Sequence, residues 1–524
     1  MKTRRDFMKI AATSAASLAL SSCSSALKLA SANKNKRPNV LFCISDDQSW
    51  VHASAYGASD LAQTPVFDRL AEQGVLFTGC FSVAPSCSPA RASLLTGRNI
   101  WQNEEAGVHL SLFPAKFPIF SEVLGANGYR VGTAGKVWGP GDYRLGGENV
   151  ARTAKPGAGQ RIEATPAAFE QFIKEGNEEE PFFFWFGAKD PHRPYDRKER
   201  TQAWGDRTVT AEDVPPFLPD IPEIREDLAD YAFEIERFDS QVGQLLDVLK
   251  KTGQAANTMV VVTGDNGMPF PRAKRECYEY GTHVPLVVSW PAQVPAGRVV
   301  DDLVSFIDLG PTFLDAAGVK IPEPMTGRSL LPVLKSDKSG LIDEAGEIVV
   351  TGRERHNMAR PGNACYPVRA IRDHQYLYIR NLEPDRDPVG ASPHYADIGY
   401  YYYPERLNRI VAGEETDKAL LAAFKKGTEK RPAAELYDIK KDPGCLVNLA
   451  AEDDYQARCE QMWAMLKAIL VKQGDPRMFG KGECFESVPT IQENKHNFPG
   501  VPPQRTYTPG KMHFDHSQDT PWKY

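Results

Sequence analysis

Short, nearly uninterrupted apolar runs, separated by stretches of helical periodicity, constrain this chain more than any other feature. Asn39-Val40-Leu41-Phe42-Cys43-Ile44-Ser45 carries apolar side chains at every interior position. A strand with one wet face would alternate instead, so the run suits a strand covered on both faces. Tyr129–Thr133, Phe182–Phe186, Thr258–Thr263 and Val284–Ser289 read the same way. Between them lie helical patterns over Pro65–Gln73, Ile119–Ala126, Pro166–Lys174 and Leu228–Lys251, the last stopped by Gly253. This alternation predicts an α/β fold with a large mixed, mostly parallel sheet sandwiched by helices. Beyond residue 340, strand-like pieces (Glu347–Thr351, Val368–Ile371, Tyr376–Arg380) precede a helix over Tyr455–Gln473, which predicts a smaller α+β domain. The expected division is 1–30 as an address segment, 36–340 as the α/β domain, 341–475 as the α+β domain and 476–524 as a C-terminal arm. That arm is rich in Pro, Gly and polar residues with scattered aromatics (Phe479, Phe485, Tyr507, Trp522). It reads as extended chain packed by single anchors, or as partial disorder.

The net charge of −6 gives no reason to expect nucleic acid as a partner. An anionic ligand would have to be recognised by local basic residues. The N-terminus carries a twin-arginine pattern, Thr3-Arg4-Arg5-Asp6-Phe7-Met8-Lys9, and then a small-apolar run to Leu20 that is too short to span a bilayer. Leu20-Ser21-Ser22-Cys23 resembles a bacterial lipobox, in which the cysteine is lipidated after cleavage. An ordinary signal peptide cut a few residues later is the alternative. Either predicts export to the periplasm or cell envelope, and the first adds a membrane anchor at Cys23. Nine cysteines are too few for a disulfide scaffold at this length, and with Cys23 and Cys87 set aside no C-x-x-C spacing suggests zinc.

Two acidic motifs follow strands directly. Asp46-Asp47 comes after the first apolar run, and Asp265-Asn266-Gly267 after Val260-Val261-Val262-Thr263. An isolated Asp-Asp pair is usually a solvated turn. Two such motifs at strand carboxyl ends, where α/β sheets bind ligands, instead suggest oxygen donors for a hard divalent cation, calcium or alternatively magnesium.

The stretch Cys87-Ser88-Pro89-Ala90-Arg91-Ala92-Ser93-Leu94-Leu95-Thr96-Gly97-Arg98 fits C-x-P-x-R followed by T-G-R. A buried cysteine before a helix opened by Pro89 is the plainer reading, and the length of the match weighs against it. On this stretch the chain resembles the sulfatases, a family of the alkaline phosphatase superfamily. There the cysteine is oxidised to formylglycine by a separate maturation enzyme. The chemistry is coherent: an aldehyde hydrate offers one hydroxyl to attack sulfur and a second to expel sulfate afterwards, an exit that a serine sulfate lacks. The resemblance implies that Arg91 fixes the hydrate and that the residue-87 oxygen joins Asp46, Asp47, Asp265 and Asn266 around the cation. Lys136 in Gly135-Lys136, Lys274 before Tyr278-Glu279-Tyr280-Gly281, and His192 in Asp190-Pro191-His192-Arg193 match the family's sulfate-binding positions.

The likeness runs from Pro38 to about residue 450. Within sulfatases, Asp265-Asn266-Gly267-Met268-Pro269-Phe270-Pro271, Thr326-Gly327-Arg328-Ser329 and Tyr366-Pro367-Val368-Arg369 resemble heparan N-sulfatase and bacterial polysaccharide sulfatases most. Two departures stand out. The histidine usual two or three residues after the site lysine is replaced by Trp138 and Gly139, and Lys274 stands where the N-sulfatase carries arginine. The expected activity is hydrolysis of sulfate from a saccharide, with His192 as general acid and Lys274 as the second choice. Arg193, Arg353, His356, Arg360 and Arg369 are candidate saccharide contacts. The other readings are a phosphonate or phosphate diester hydrolase of the same superfamily, a choline sulfatase and a non-catalytic glycan-binding relative.

Overall fold

In the computed structural model, residues 37–144, 154–177, 179–397, 404–492 and 497 are described. The first apolar run forms β1 (Asn39–Ser45), buried along its whole length. It lies between β5 (Phe182–Gly187) and β6 (Thr258–Gly264), parallel to both. β3 (Arg130–Gly135) extends the parallel block beyond β5, and the short β4 (Gln160–Ile162) closes that edge. Beyond β6 the sheet turns antiparallel at β8 (Leu286–Ser289), which leads to β2 (Val75–Phe81), β7 (His283–Val284) and β9 (Arg298–Ser305). The expected mixed, mostly parallel sheet is thus present. The run Val284–Ser289 is two strands rather than one, since Pro285 has no N–H to give the ladder.

Helices cover both faces. The side chains of β1 pointing one way, Val40, Phe42 and Ile44, join one apolar cluster, while Leu41 and Cys43 join another on the opposite face. α1 (Pro65–Glu72) and α3 (Phe120–Ala126) fall close to their expected bounds. α4 spans Pro166–Lys174. The long helix α5 starts earlier than its apolar pattern, at Pro222, and runs to Lys251. Proline in the first turn costs no hydrogen bond there. α2 (Cys87–Thr96) is buried on every side, so it is built from small and aliphatic residues rather than an amphipathic stripe. Gly97, with φ of 62°, ends it in the left-handed conformation. No helix among the described residues is long and apolar enough to cross a membrane.

The C-terminal part holds a four-stranded antiparallel sheet, β10 (Val349–Arg353), β11 (Val368–Arg372), β12 (Tyr376–Asn381) and β13 (Ala434–Asp438). Helix α6 (Gln456–Lys472) packs on β11 and β12. Of the aromatic anchors expected in the arm, Phe485 is fully buried whereas Phe479 is exposed. Tyr507, Trp522 and the N-terminal segment with Cys23 lie outside the described residues. The eight described cysteines are all free thiols.

Candidate active site

Parallel pairing explains why distant motifs meet. β3, β5, β1 and β6 are consecutive neighbours in the sheet, so the residues just past their carboxyl ends share one rim. Those residues are Lys136, the segment leading to His192, Asp46-Asp47 and Asp265-Asn266. Successive side chains on a strand point to opposite faces. The rim escapes that alternation because Asp47 adopts a left-handed backbone with φ of 74°, which aspartate tolerates better than most residues. Lys136 is placed by another such turn. Gly135 has φ of 73°, and a Cβ there would lie 2.0 Å from the Gly187 carbonyl oxygen, to which Lys136 N–H donates at 2.7 Å.

The charged groups interlock. Arg91, one turn into α2 from Cys87, donates through Nε to Asp265 Oδ2 at 2.7 Å and through Nη1 to the Lys136 and Val137 carbonyls at 2.8 and 3.0 Å. Asp265 Oδ1 accepts from the Asp47 main-chain N–H at 3.0 Å. Lys136 Nζ donates to Asp46 Oδ2, and Lys274 Nζ to Asp47 Oδ2 at 2.7 Å. Asn266 Nδ2 donates to Asp47 Oδ1 at 2.8 Å. The His192 Nε2 lies 3.9 Å from Asp47 Oδ2, on a side chain 37% exposed. Its Nδ1 faces the Arg193 carbonyl at 2.6 Å.

Burial works against every charge here, and the partners decide the outcome. It tends to raise the Asp46 and Asp47 carboxyls, but Lys136 and Lys274 outweigh it and hold both below the usual range. Asp265 goes the other way, pushed up by burial and then by the Asp46 charge. Burial also pushes the Cys87 thiol up. An unaltered cysteine there would therefore be protonated at neutral pH and a poor nucleophile.

At the rim, two buried oxygens have no hydrogen-bond partner, Asp46 Oδ1 and Asn266 Oδ1. Leaving a buried acceptor unpaired costs about 1–3 kcal/mol, more for a charged group. A metal ion would satisfy both. One donor atom from each of Asp46, Asp47 and His192 also falls within 4.8 Å of the others, a spacing that could hold an ion. That set includes an imidazole, whereas the unpaired atoms are both oxygens and suit a hard cation better.

The structure therefore brings together Asp46, Asp47, Asp265, Asn266, Arg91, Lys136 and Lys274, with His192 at the edge. The candidate saccharide arginines fare differently. Arg193 pairs with Asp227, Arg353 and Arg360 share Asp397, and Arg369 is fully buried between Glu354 and Asp475. These pairs turn the side chains into the protein rather than toward a ligand. One site residue was missed. His109 Nε2 lies 3.4 Å from Cys87 Sγ, and its ring stacks on His356 with centroids 3.9 Å apart. Burial pushes both imidazoles well below their ordinary range, so both rings are neutral.

This geometry can be set beside known proteins. The Sulfatase family model matches residues 38–319, more than half of the chain. The chain belongs to the sulfatase family. N-sulphoglucosamine sulphohydrolase of Homo sapiens is 30% identical over 485 residues, covering 83% of this chain and 89% of that protein. An ulvan-active sulfatase of Formosa agariphila is 27% identical over 86% of this chain and 78% of its own length. Among solved structures, one in complex with its substrate D-glucosamine-2-N,6-O-disulfate superposes with a TM-score of 0.60 at 19% identity, covering 84% of this chain and 99% of that one. The phosphonate monoester hydrolase of Agrobacterium radiobacter shares the fold too, with a TM-score of 0.59 at 20% identity over 83% of this chain and 96% of that one. This sulfatase is accordingly a sulfuric ester hydrolase.

Proposed function

We propose that this sulfatase removes sulfate from a sulfated saccharide, with a formylglycine at position 87 and a calcium ion at the strand-end rim. The observation that carries the reading is the rim itself. Three carboxylates (Asp46, Asp47, Asp265) face three cations (Arg91, Lys136, Lys274) beside the first turn of α2. The set is electrically balanced alone, so a bound dication would leave an excess of positive charge suited to a sulfuryl group. Asp46, Asp47, Asp265 and Asn266 would hold that ion, and the unpaired oxygens of Asp46 and Asn266 fit it. When bound, it would supply Lewis-acid polarisation of a sulfuryl oxygen.

The chain's own residues do the rest. Arg91 orients the first turn of α2 against Asp265. Lys136 and Lys274 swing from their carboxylates to the sulfuryl oxygens, neutralising charge as the bond to the leaving oxygen or nitrogen breaks. His192, on the exposed edge, protonates the leaving group. The saccharide reading is supported by the names of the relatives, an N-sulphoglucosamine sulphohydrolase and ulvan-active sulfatases. The twin-arginine segment and Cys23 support export to the envelope with a lipid anchor, and the C-x-P-x-R match supports a maturation enzyme acting on Cys87.

Two measurements test this. Incubation with defined sulfated mono- and disaccharides, with aryl phosphonate diesters as controls, should release sulfate from at least one sugar. Preference for the phosphonates would transfer the chain to diester hydrolysis. The mass of the peptide holding residue 87 should be that of the aldehyde or its hydrate, and an unchanged thiol in fully active protein would end the formylglycine reading.

A further inference from the structure

The position where sulfatases usually carry a second site histidine is filled here by Trp138 and Gly139. Trp138 is buried, with its ring against Phe113 at 5.3 Å, and has no proton-accepting atom to offer. His109 reaches residue 87 from a different segment, just past the turn at Glu104–Gly107. Its Nδ1 lies 2.9 Å from the His356 carbonyl oxygen. A carbonyl only accepts, so Nδ1 carries the hydrogen and Nε2 turns its lone pair toward the residue-87 side chain, 3.4 Å away. Three contacts fix the ring and its tautomer: that hydrogen bond, the nearly parallel stack on His356 at 8°, and the His109 N–H on the Arg355 carbonyl at 3.2 Å. Arg91, Lys136 and Lys274 are cations without a free lone pair. Among the described residues, no other imidazole is hydrogen-bonded to residue 87.

We propose that His109 is the catalytic proton acceptor for the nucleophile at residue 87, a role that rests on the formylglycine reading above. The step in which it acts is the release of sulfate. The residue-87 carbon then bears one free hydroxyl and one oxygen carrying the sulfuryl group. The O–H bond of the hydroxyl breaks and its proton goes to His109 Nε2. The freed electron pair forms the second bond of the aldehyde C=O, and the C–O bond to the sulfated oxygen breaks. Sulfate leaves with the electron pair of the broken C–O bond, and His109 returns the proton to solvent. Water then adds to the aldehyde and restores the hydrate.

The test uses His109→Ala and His109→Gln in the full chain, after peptide mass has shown that residue 87 is converted in both and in the wild type. His109→Gln keeps most of the side-chain volume, and so guards against an alanine variant that does not fold. With a nitrophenyl sulfate in excess, each variant should release about one phenol per enzyme in a burst and then turn over about 10²–10⁴-fold more slowly than wild type. The quenched variants should retain the mass of one SO3 group on the peptide holding residue 87, and the wild type should not. Added imidazole should restore turnover to the alanine variant. A folded, converted variant that turns over within about threefold of wild type, or that loses the burst together with steady turnover, would overturn the assignment. Active wild type with an unconverted Cys87 would overturn the formylglycine reading itself, and with it this one.

Discussion

Two of the clusters of buried charge among the described residues are built on opposite terms. The strand-end cluster around Asp46, Asp47 and Asp265 leaves acceptors unpaired. The second joins β11 to the segments on either side of it. Arg369 donates through Nε to Asp475 at 2.7 Å and through Nη2 to Glu354 at 2.7 Å and Asp475 at 3.1 Å, while Nη1 meets the Val368 and Arg353 carbonyls at 3.0 and 3.3 Å. Arg477 completes it by closing on Glu354 at 2.6 Å. No side-chain atom of Arg369, Glu354, Asp475 or Arg477 is left buried without a partner. Buried charge that is fully answered holds segments in register, whereas buried charge left open marks a place where something else binds.

If that contrast is right, the two clusters should respond to mutation in opposite currencies. Cys87→Ala should show the largest effect, a loss of turnover by about 10⁴-fold or more with a melting temperature close to wild type. Thermal unfolding alongside a sulfate-release assay reads both, and a collapsed fold would erase the distinction. Arg369→Met is the mirror case. Removing one partner of a buried ion network should cost about 3–5 kcal/mol in denaturant unfolding, because Asp475 is left without a counter-charge and Glu354 keeps only Arg477. A change near zero would mean that water or rearranged partners already relieve them.

His192→Ala probes the exposed edge of the open cluster. A general acid matters most for a poor leaving group, so turnover of a sugar sulfate should fall about 10²-fold more than turnover of nitrophenyl sulfate. Equal losses would leave His192 as a sulfate contact and move the acid role to Lys274. The smallest effect should come from Glu279, which meets β11 through Arg372 and also bonds His283. Burial tends to raise its carboxyl, but Arg372 and His283 outweigh that and hold it at about 2. A depressed carboxyl contributes stability above its unfolded value and loses it as pH falls through the folded one. The stability gap between wild type and Glu279→Gln should therefore be full near neutral pH and narrow from about pH 4.5 toward about 2. Denaturant midpoints at several pH values measure it, and a gap that widens on acidification would reverse the sign.

The sequence made the parallel block legible because β1, β5 and β6 are apolar enough to exclude a wet face. β2 and β9 escaped notice for the same physical reason. Thr78 and Gly79 interrupt one, and Asp301-Asp302 the other, so neither shows a clean apolar run. The carboxylates and Lys136 were readable because each stands just past a strand, and Lys274 because Tyr278-Glu279-Tyr280-Gly281 follows it. His109 follows a turn with no strand before it, and only the path of the chain past α2 brings it to Cys87. Arg353, Arg360 and Arg369 look like ligand contacts in one dimension because the carboxylates that consume them, Asp397 and Asp475, lie far along the chain.

The setting of α2 carries a consequence for the order of events in the life of the protein. Cys87 is 2% exposed in a helix whose every residue is buried. Another protein's active site cannot close around a residue so placed without first opening the structure around it. A maturation enzyme of the kind proposed would therefore have to meet Cys87 while the chain is still open. The folded molecule would then seal that alteration in, and a copy that folded too early would be committed to its thiol for as long as it stayed folded.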